Sequence, residues 1–151
     1  MKELEKEKAI TILNNIMELE LSGVVRYTHY SLMVYGYNRI PIVDWLKENA
    51  QEGLEHAGKA GEMVTMLGGH PSLKIGALLE TEKHDIGDIL RESLEHEAIT
   101  ASVYHDLLNL VEGRSVILEE YARGMILLEE QHLDEVNKML REPGDLAPFK
   151  A

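Results

Sequence analysis

Apolar residues recur every three to four positions along nearly the whole chain, and no stretch alternates with a period of two. This pattern predicts helices and no sheet. The first helix is predicted from about Glu3 to Tyr35, with an inward stripe of Leu13, Met17, Glu20, Val24, Tyr27, Ser31 and Val34. Gly36 ends it, and Pro41 suits the first turn of a second helix, which runs to about Leu67 before Gly68, Gly69 and Pro71 stop it. The second stripe includes Leu46, Asn49, Glu52 or Gly53, His56, Ala60, Met63 and Leu67. After a long connection, about Gly68–His84, Asp85 can cap a third helix that ends before Gly113, with Ile89, Ser93, Glu97, Ala101, Tyr104, Leu108 and Val111 facing inward. Ser115 can cap a fourth, ending before Pro143, with Leu118, Ala122, Met125, Glu129, His132, Val136 and Met139 inward. Two helix pairs with short internal loops and one long link predict an all-α, antiparallel four-helix bundle with a single crossover between the second and third helices. The bundle is expected to occupy residues 1–144 as one domain, with 145–151 as a short tail.

The stripes are apolar except where they carry acid and histidine, and those positions repeat. Glu20 stands 32 residues before Glu52, and Glu97 stands 32 residues before Glu129. Glu52 and Glu129 are followed by His56 and His132, and each upstream glutamate is followed seven residues on by a tyrosine, Tyr27 or Tyr104. Burying an unpaired carboxylate costs several kcal/mol, roughly, so such a group protonates or finds a partner. No lysine or arginine lies on these stripes. Two divalent cations would balance Glu20, Glu52, Glu97 and Glu129, with His56 and His132 binding as neutral imidazoles. A histidine and carboxylates per metal suit iron or manganese. Glu129 and His132 are three apart and share one helix face. The remaining histidines (His29, His70, His84, His96 and His105) are read as incidental, and Glu95, Glu119, Glu120 and Glu130 as solvated faces. Five glycines inside helices (Gly23, Gly53, Gly58, Gly61 and Gly124) point to close helix approach, with a local helix irregularity near Gly53 as the alternative.

Composition narrows the function classes. Cysteine is absent, which excludes thiolate-ligated zinc, iron–sulfur clusters, thiol catalysis and disulfides, and fits a cytoplasmic location. The net charge of −12 disfavours nucleic acid as a partner. No apolar run is long enough for a membrane span, and no signal-peptide pattern opens the chain.

The segments ELELSGVVRY in the first helix, LEHA and LGGHP around the second, LRESLEHE in the third and EEQHL in the fourth resemble a bacterioferritin-type member of the ferritin-like superfamily. The resemblance covers about residues 5–141. It implies Glu20, His56, Glu97, Glu129 and His132 as ligands of two iron ions, with Tyr27 as the tyrosine beside the di-iron centre. Manganese or zinc would suit the same donors.

Two positions depart from the family pattern. Where the family has a glutamate three residues before the second-helix histidine, this chain has Gly53, so Glu52 is the candidate for the missing ligand, brought in by a local bulge at Gly53. Where bacterioferritins carry a haem-ligating methionine, this chain has Leu54, so haem is not expected.

The function implied is non-haem: oxidation of Fe(II) by O2 or H2O2 for iron storage or detoxification, in a homo-oligomer that is at least a dimer, with a 12- or 24-subunit cage as the storage form. The alternatives are a dimetal oxidase or peroxidase of rubrerythrin or manganese-catalase type without mineral storage, and a structural bundle with a degenerate metal site.

Overall fold

The computed structural model describes residues 2–150. Among these, four helices account for all regular structure: α1 (Lys6–Met33), α2 (Arg39–Met66), α3 (Ile86–Val111) and α4 (Val116–Leu140). The Asp85 carboxylate accepts from the Gly87 N–H at 3.0 Å, and the Ser115 hydroxyl accepts from the Leu118 N–H at 3.3 Å, so both expected caps satisfy amides that the helix leaves open. Pro41 falls in the first turn of α2, where its missing N–H costs nothing.

Packing gives the topology. α1 lies against α2 and α3, and α3 lies against α4. The apolar core has two parts. One collects Leu13 and Ile16 of α1, Ala60 and Val64 of α2, Val103 to Val111 of α3, and Leu118 to Met125 of α4. The other collects Tyr27, Tyr30 and Val34, then Val43 and Leu46, then Ile89. The start of α1, the end of α2, the end of α3 and the start of α4 therefore share one end of the bundle. The helices run up, down, down and up, and the crossover must climb the bundle's full length, roughly 40 Å at 1.5 Å per helical residue. It climbs along α1. The Asn14 amide donates to the His70 carbonyl at 3.1 Å, and the Ser72 N–H donates to Asn14 Oδ1 at 2.9 Å. One turn higher, the Gly76 N–H donates to the Glu18 carbonyl at 2.8 Å. The tail folds back onto α4, where Asn137 and Phe149 exchange two hydrogen bonds of 3.0 and 3.1 Å.

α2 is one uninterrupted α-helix from Arg39 to Met66, so the bulge expected at Gly53 does not form. Its glycine serves the other reading, close approach. A Cβ there would lie 3.2 Å from the Glu20 carbonyl oxygen and 3.2 Å from Val24 Cγ2, so only a residue without a side chain lets α2 settle this close to α1. Gly124 is different, because a Cβ there meets nothing within 4 Å. Alanine at each glycine removes the same intrinsic helix penalty, about 1 kcal/mol, yet the outcomes should be opposite. Gly124→Ala is expected to raise the midpoint of thermal unfolding, and Gly53→Ala to lower it through overpacking worth about 1–3 kcal/mol. Calorimetry of the two variants checks the pair.

Candidate metal centre

Between the two apolar clusters lies a level at which every helix presents polar groups: Glu20 on α1, Asn49 and His56 on α2, Ser93, His96 and Glu97 on α3, Glu129 and His132 on α4. All of them but Ser93 line a cavity of about 410 Å³. Glu20, Glu97 and Glu129 are 4%, 8% and 3% exposed, as buried as the leucines around them. The helical stripes dictate this, because a side chain one turn from Ile16 or Met125 and on the same face must point the same way.

One oxygen of Glu20, one of Glu129 and a ring nitrogen of His56 lie within 4.8 Å of one another. His56 Nδ1 is 2.8 Å from Glu20 Oε2 and 3.7 Å from Glu129 Oε1. The shorter contact is oblique: Glu20 Oε2 has no well-directed hydrogen-bond donor, and neither has Glu129 Oε2. On the other side, Tyr27 donates to Glu97 Oε1 at 2.7 Å and its hydroxyl lies 3.2 Å from His132 Nε2, which is itself 3.7 Å from Glu97 Oε1. The ring of His132 stacks on Trp45 with centroids 5.9 Å apart and planes 5° from parallel. Among the described residues, only histidines come within ion-pair distance of the three buried glutamates.

The electrostatics follow from that isolation. Burial raises the Glu20 carboxyl to about 7 against the pull of His56. Burial, and then the neighbouring Glu97 carboxylate, push Glu129 up to about 12. Burial also works against the charge on Glu97, but Glu129 and His132 leave that group below its usual value. Glu97 and Glu129 thus share one proton as a pair. His56 is opposed by burial too, yet Glu20 outweighs it and raises the imidazole above its ordinary value.

All the residues singled out by the repeat line the cavity from inside except two, Glu52 and Tyr104. Glu20, His56, Glu97, Glu129, His132 and Tyr27 line the cavity from inside. Glu52 lines its mouth and is exposed, as is Glu55, while Gly53 takes the inward position between them. Tyr104 is fully buried, but its hydroxyl has no hydrogen-bond partner and its ring packs edge-on against Tyr121, 6.3 Å between centroids. His96 was treated as incidental, yet it lines the cavity and is buried, and burial lowers its pKa. Its signal was present across the helices rather than along them: a Cβ on Gly23 would sit 3.0 Å from His96 Nε2, so the glycine makes room for the imidazole.

Three carboxylates buried between two apolar clusters, two of them with an oxygen that has no well-directed donor, form with His56 and His132 a donor set that fits a pair of divalent cations. The same set burdens the metal-free fold. The raised Glu20 and Glu129 bind protons in the folded chain that the unfolded chain releases above about pH 4.5. Their contribution is fully present below that pH and fades as pH rises, through about 7 for Glu20 and on toward 12 for Glu129. Metal-free protein should therefore lose stability from pH 5 to pH 8. Replacing both groups by leucine of similar volume should flatten that slope and stabilise the metal-free chain at pH 8 by about 1–4 kcal/mol. Urea unfolding in the presence of a chelator measures both.

The profile of the ferritin-like domain matches residues 10–143. No curated protein matches the sequence. The fold is similar to that of a ferritin-like, diiron-carboxylate protein from Bacillus anthracis str. Ames, with 23% identity over 90% of this chain and 97% of that one and a TM-score of 0.79. It is similar also to a dodecameric thioferritin, the bacterioferritin-related protein of Bacteroides fragilis, with 21% identity, coverage of 91% and 87%, and a TM-score of 0.82. The bacterioferritin of Desulfovibrio desulfuricans, whose structure has a diiron site, matches with 24% identity, coverage of 89% and 79%, and a TM-score of 0.78. With four helices around one crossover and a profile match that spans nearly all of them, the chain belongs to the ferritin-like domain family.

Proposed function

We propose that the protein binds two Fe(II) ions between its helices and oxidises them, with O2 or hydrogen peroxide as electron acceptor. The observation that carries this reading is that three glutamates are buried around one cavity with only histidines within ion-pair distance, and that one oxygen of Glu20 and one of Glu129 lack a well-directed hydrogen-bond donor. A structural polar cluster would satisfy them, because an unmet buried acceptor costs about 1–3 kcal/mol. The relatives described as diiron-carboxylate protein and bacterioferritin support iron as the metal.

The two halves of the site divide the work. Glu20 and His56 hold one ion, Glu97 and His132 hold the other, and Glu129, which faces both groups, bridges them. Fe(II) is the substrate and gives up one electron per ion, while hard carboxylate oxygens favour the more highly charged product. Tyr27 does not need to ligate. Its O–H fixes Glu97 and lies against His132, and Trp45 holds the plane of the His132 ring, which is how outer partners aim a metal's ligands. Glu52 completes the set by turning inward from the mouth. Its charge is among the leading influences on Glu20, His56 and Glu129, and that of Glu55 is not, so Glu52 is the better of the two carboxylates. Leu54 leaves no thioether beside His56 for a haem. The chain acts as a homo-oligomer. Val25, Leu32 and Leu54 are exposed apolar residues on α1 and α2, and the Bacteroides fragilis relative is dodecameric.

Anaerobic addition of Fe(II) should saturate at two ions per chain, and a following pulse of O2 should turn both to Fe(III), read by near-ultraviolet absorbance. Tyr27→Phe should keep that stoichiometry and slow the oxidation about 10- to 100-fold. Glu52→Gln should weaken binding of one ion, and Glu55→Gln should leave both unchanged. Saturation below one ion per chain in the parent protein would defeat the reading.

Loading must displace protons from Glu20, from His56 and from the proton that Glu97 shares with Glu129. Fe(II) affinity should therefore fall as pH is lowered from 8 to 6, with measurable acid release in weakly buffered solution at pH 7.

A further inference from the structure

Outside the bundle's interior, a second group of metal-type donors comes together where the crossover passes α1. His29 of α1 and Glu80 and His84 of the crossover each offer one atom, and the three atoms lie within 4.8 Å of one another. His29 Nε2 is 3.0 Å from Glu80 Oε2 and 3.3 Å from His84 Nε2, and His84 Nε2 is 3.6 Å from Glu80 Oε1. A dication with ligand bonds near 2.0–2.1 Å holds neighbouring donors about 3.0–3.4 Å apart, whether the shell is tetrahedral or octahedral. Two of the three distances, His29 to His84 and His29 to Glu80 Oε2, already have that spacing, and the third, from His84 to the other carboxylate oxygen, Oε1, is slightly longer, so a small turn of the Glu80 carboxylate closes the face.

Each histidine lies within ion-pair distance of Glu80, but such pairing does not by itself require the two imidazole nitrogens to meet at 3.3 Å. A hydrogen bond between the two rings needs one Nε2 to donate and the other to accept, so one of them presents a lone pair there. The carboxylate is held ready: the Glu82 N–H donates to Glu80 Oε1 at 2.6 Å and, as the largest influence, keeps that carboxyl below its usual range. Glu82 itself has φ of +57°, a left-handed conformation that glutamate rarely adopts and that turns the segment between Glu80 and His84. The neighbouring residues anchor the same turn, since Thr81 donates to Glu92 Oε1 and Tyr30 donates to Glu92 Oε2 at 2.8 Å. His29 and His84 are partly buried and Glu80 is exposed, so a bound ion would keep open positions toward solvent.

We propose that His29, Glu80 and His84 form a separate mononuclear site for a borderline transition-metal dication, and that the bound ion clips the upper part of the crossover onto α1. Below this point the crossover is tied to α1 by backbone and Asn14 hydrogen bonds, and the metal would supply the corresponding tie at its upper end. The site is independent of the buried centre, with no ligand in common.

Zn(II) is the probe. Equilibrium dialysis of the full chain should show one fewer Zn(II) per chain in His29→Ala/His84→Ala than in the parent, and Glu80→Gln should bind that ion about tenfold or more weakly. Zn(II) should slow amide hydrogen exchange at residues 78–85 in the parent but not in His29→Ala/His84→Ala. A Glu97→Ala/His132→Ala variant, which damages only the buried centre, should keep the Zn(II)-dependent protection of residues 78–85. Equal zinc stoichiometry in the parent and His29→Ala/His84→Ala would overturn the proposal. So would protection of the crossover that disappears when only the buried centre is changed, because the effect would then come from the interior site.

Discussion

Three glutamates buried between two apolar clusters, with no lysine or arginine within ion-pair distance among the described residues, set the terms for the rest of this structure. Each carboxylate faces the same choice, to stay charged at a large desolvation cost or to take up a proton and give up stability as pH rises. Hydrogen bonds reach only part of the group. Tyr27 serves Glu97, His56 stands obliquely against Glu20, and one oxygen each of Glu20 and Glu129 lacks a well-directed donor. The apolar clusters above and below confine the strain to one level and keep water from relieving it along the bundle axis. The result is a site organised at the expense of the fold's own stability, which the proposed metal binding would relieve.

The bundle's connectivity serves that level. Because α1, α2, α3 and α4 run up, down, down and up, each contributes a residue at mid-height from a rigid helix rather than from a loop. The close approach at Gly53 brings α2 near Glu20, and Gly23 opens space for His96 on α3. The long crossover is the consequence of this order. It has no helix of its own, and it depends on hydrogen bonds to α1 and on its contacts near Tyr30 and Glu92 for its path.

Much of this could be read from residue order, for definite reasons. The helices and their caps at Asp85 and Ser115 follow from local spacing, which helical geometry translates directly into faces. Glu129 and His132 were legible because both lie on one helix, three residues apart. Gly53 was not, because a glycine that opens a bulge and one that admits a neighbouring helix look the same in one dimension; the difference lies in the 3.2 Å to the Glu20 carbonyl. Glu52 sits at the mouth for the same reason, since an unbulged helix turns that position outward. His96, the stacking of Trp45 on His132, and the meeting of His29 with Glu80 and His84 all depend on the distance between separate segments. The last depends also on the path of a loop, which carries no periodic signal.

The most direct test of the account is a crystal structure of protein loaded anaerobically with Fe(II), with data collected on both sides of the iron absorption edge. The account predicts two anomalous peaks inside the cavity, roughly 3.5–4 Å apart, one against Glu20 and His56 and one against Glu97 and His132, with Glu129 between them. A cavity that stays free of anomalous density in iron-loaded crystals, with Glu20 and Glu129 still unpaired, would contradict it.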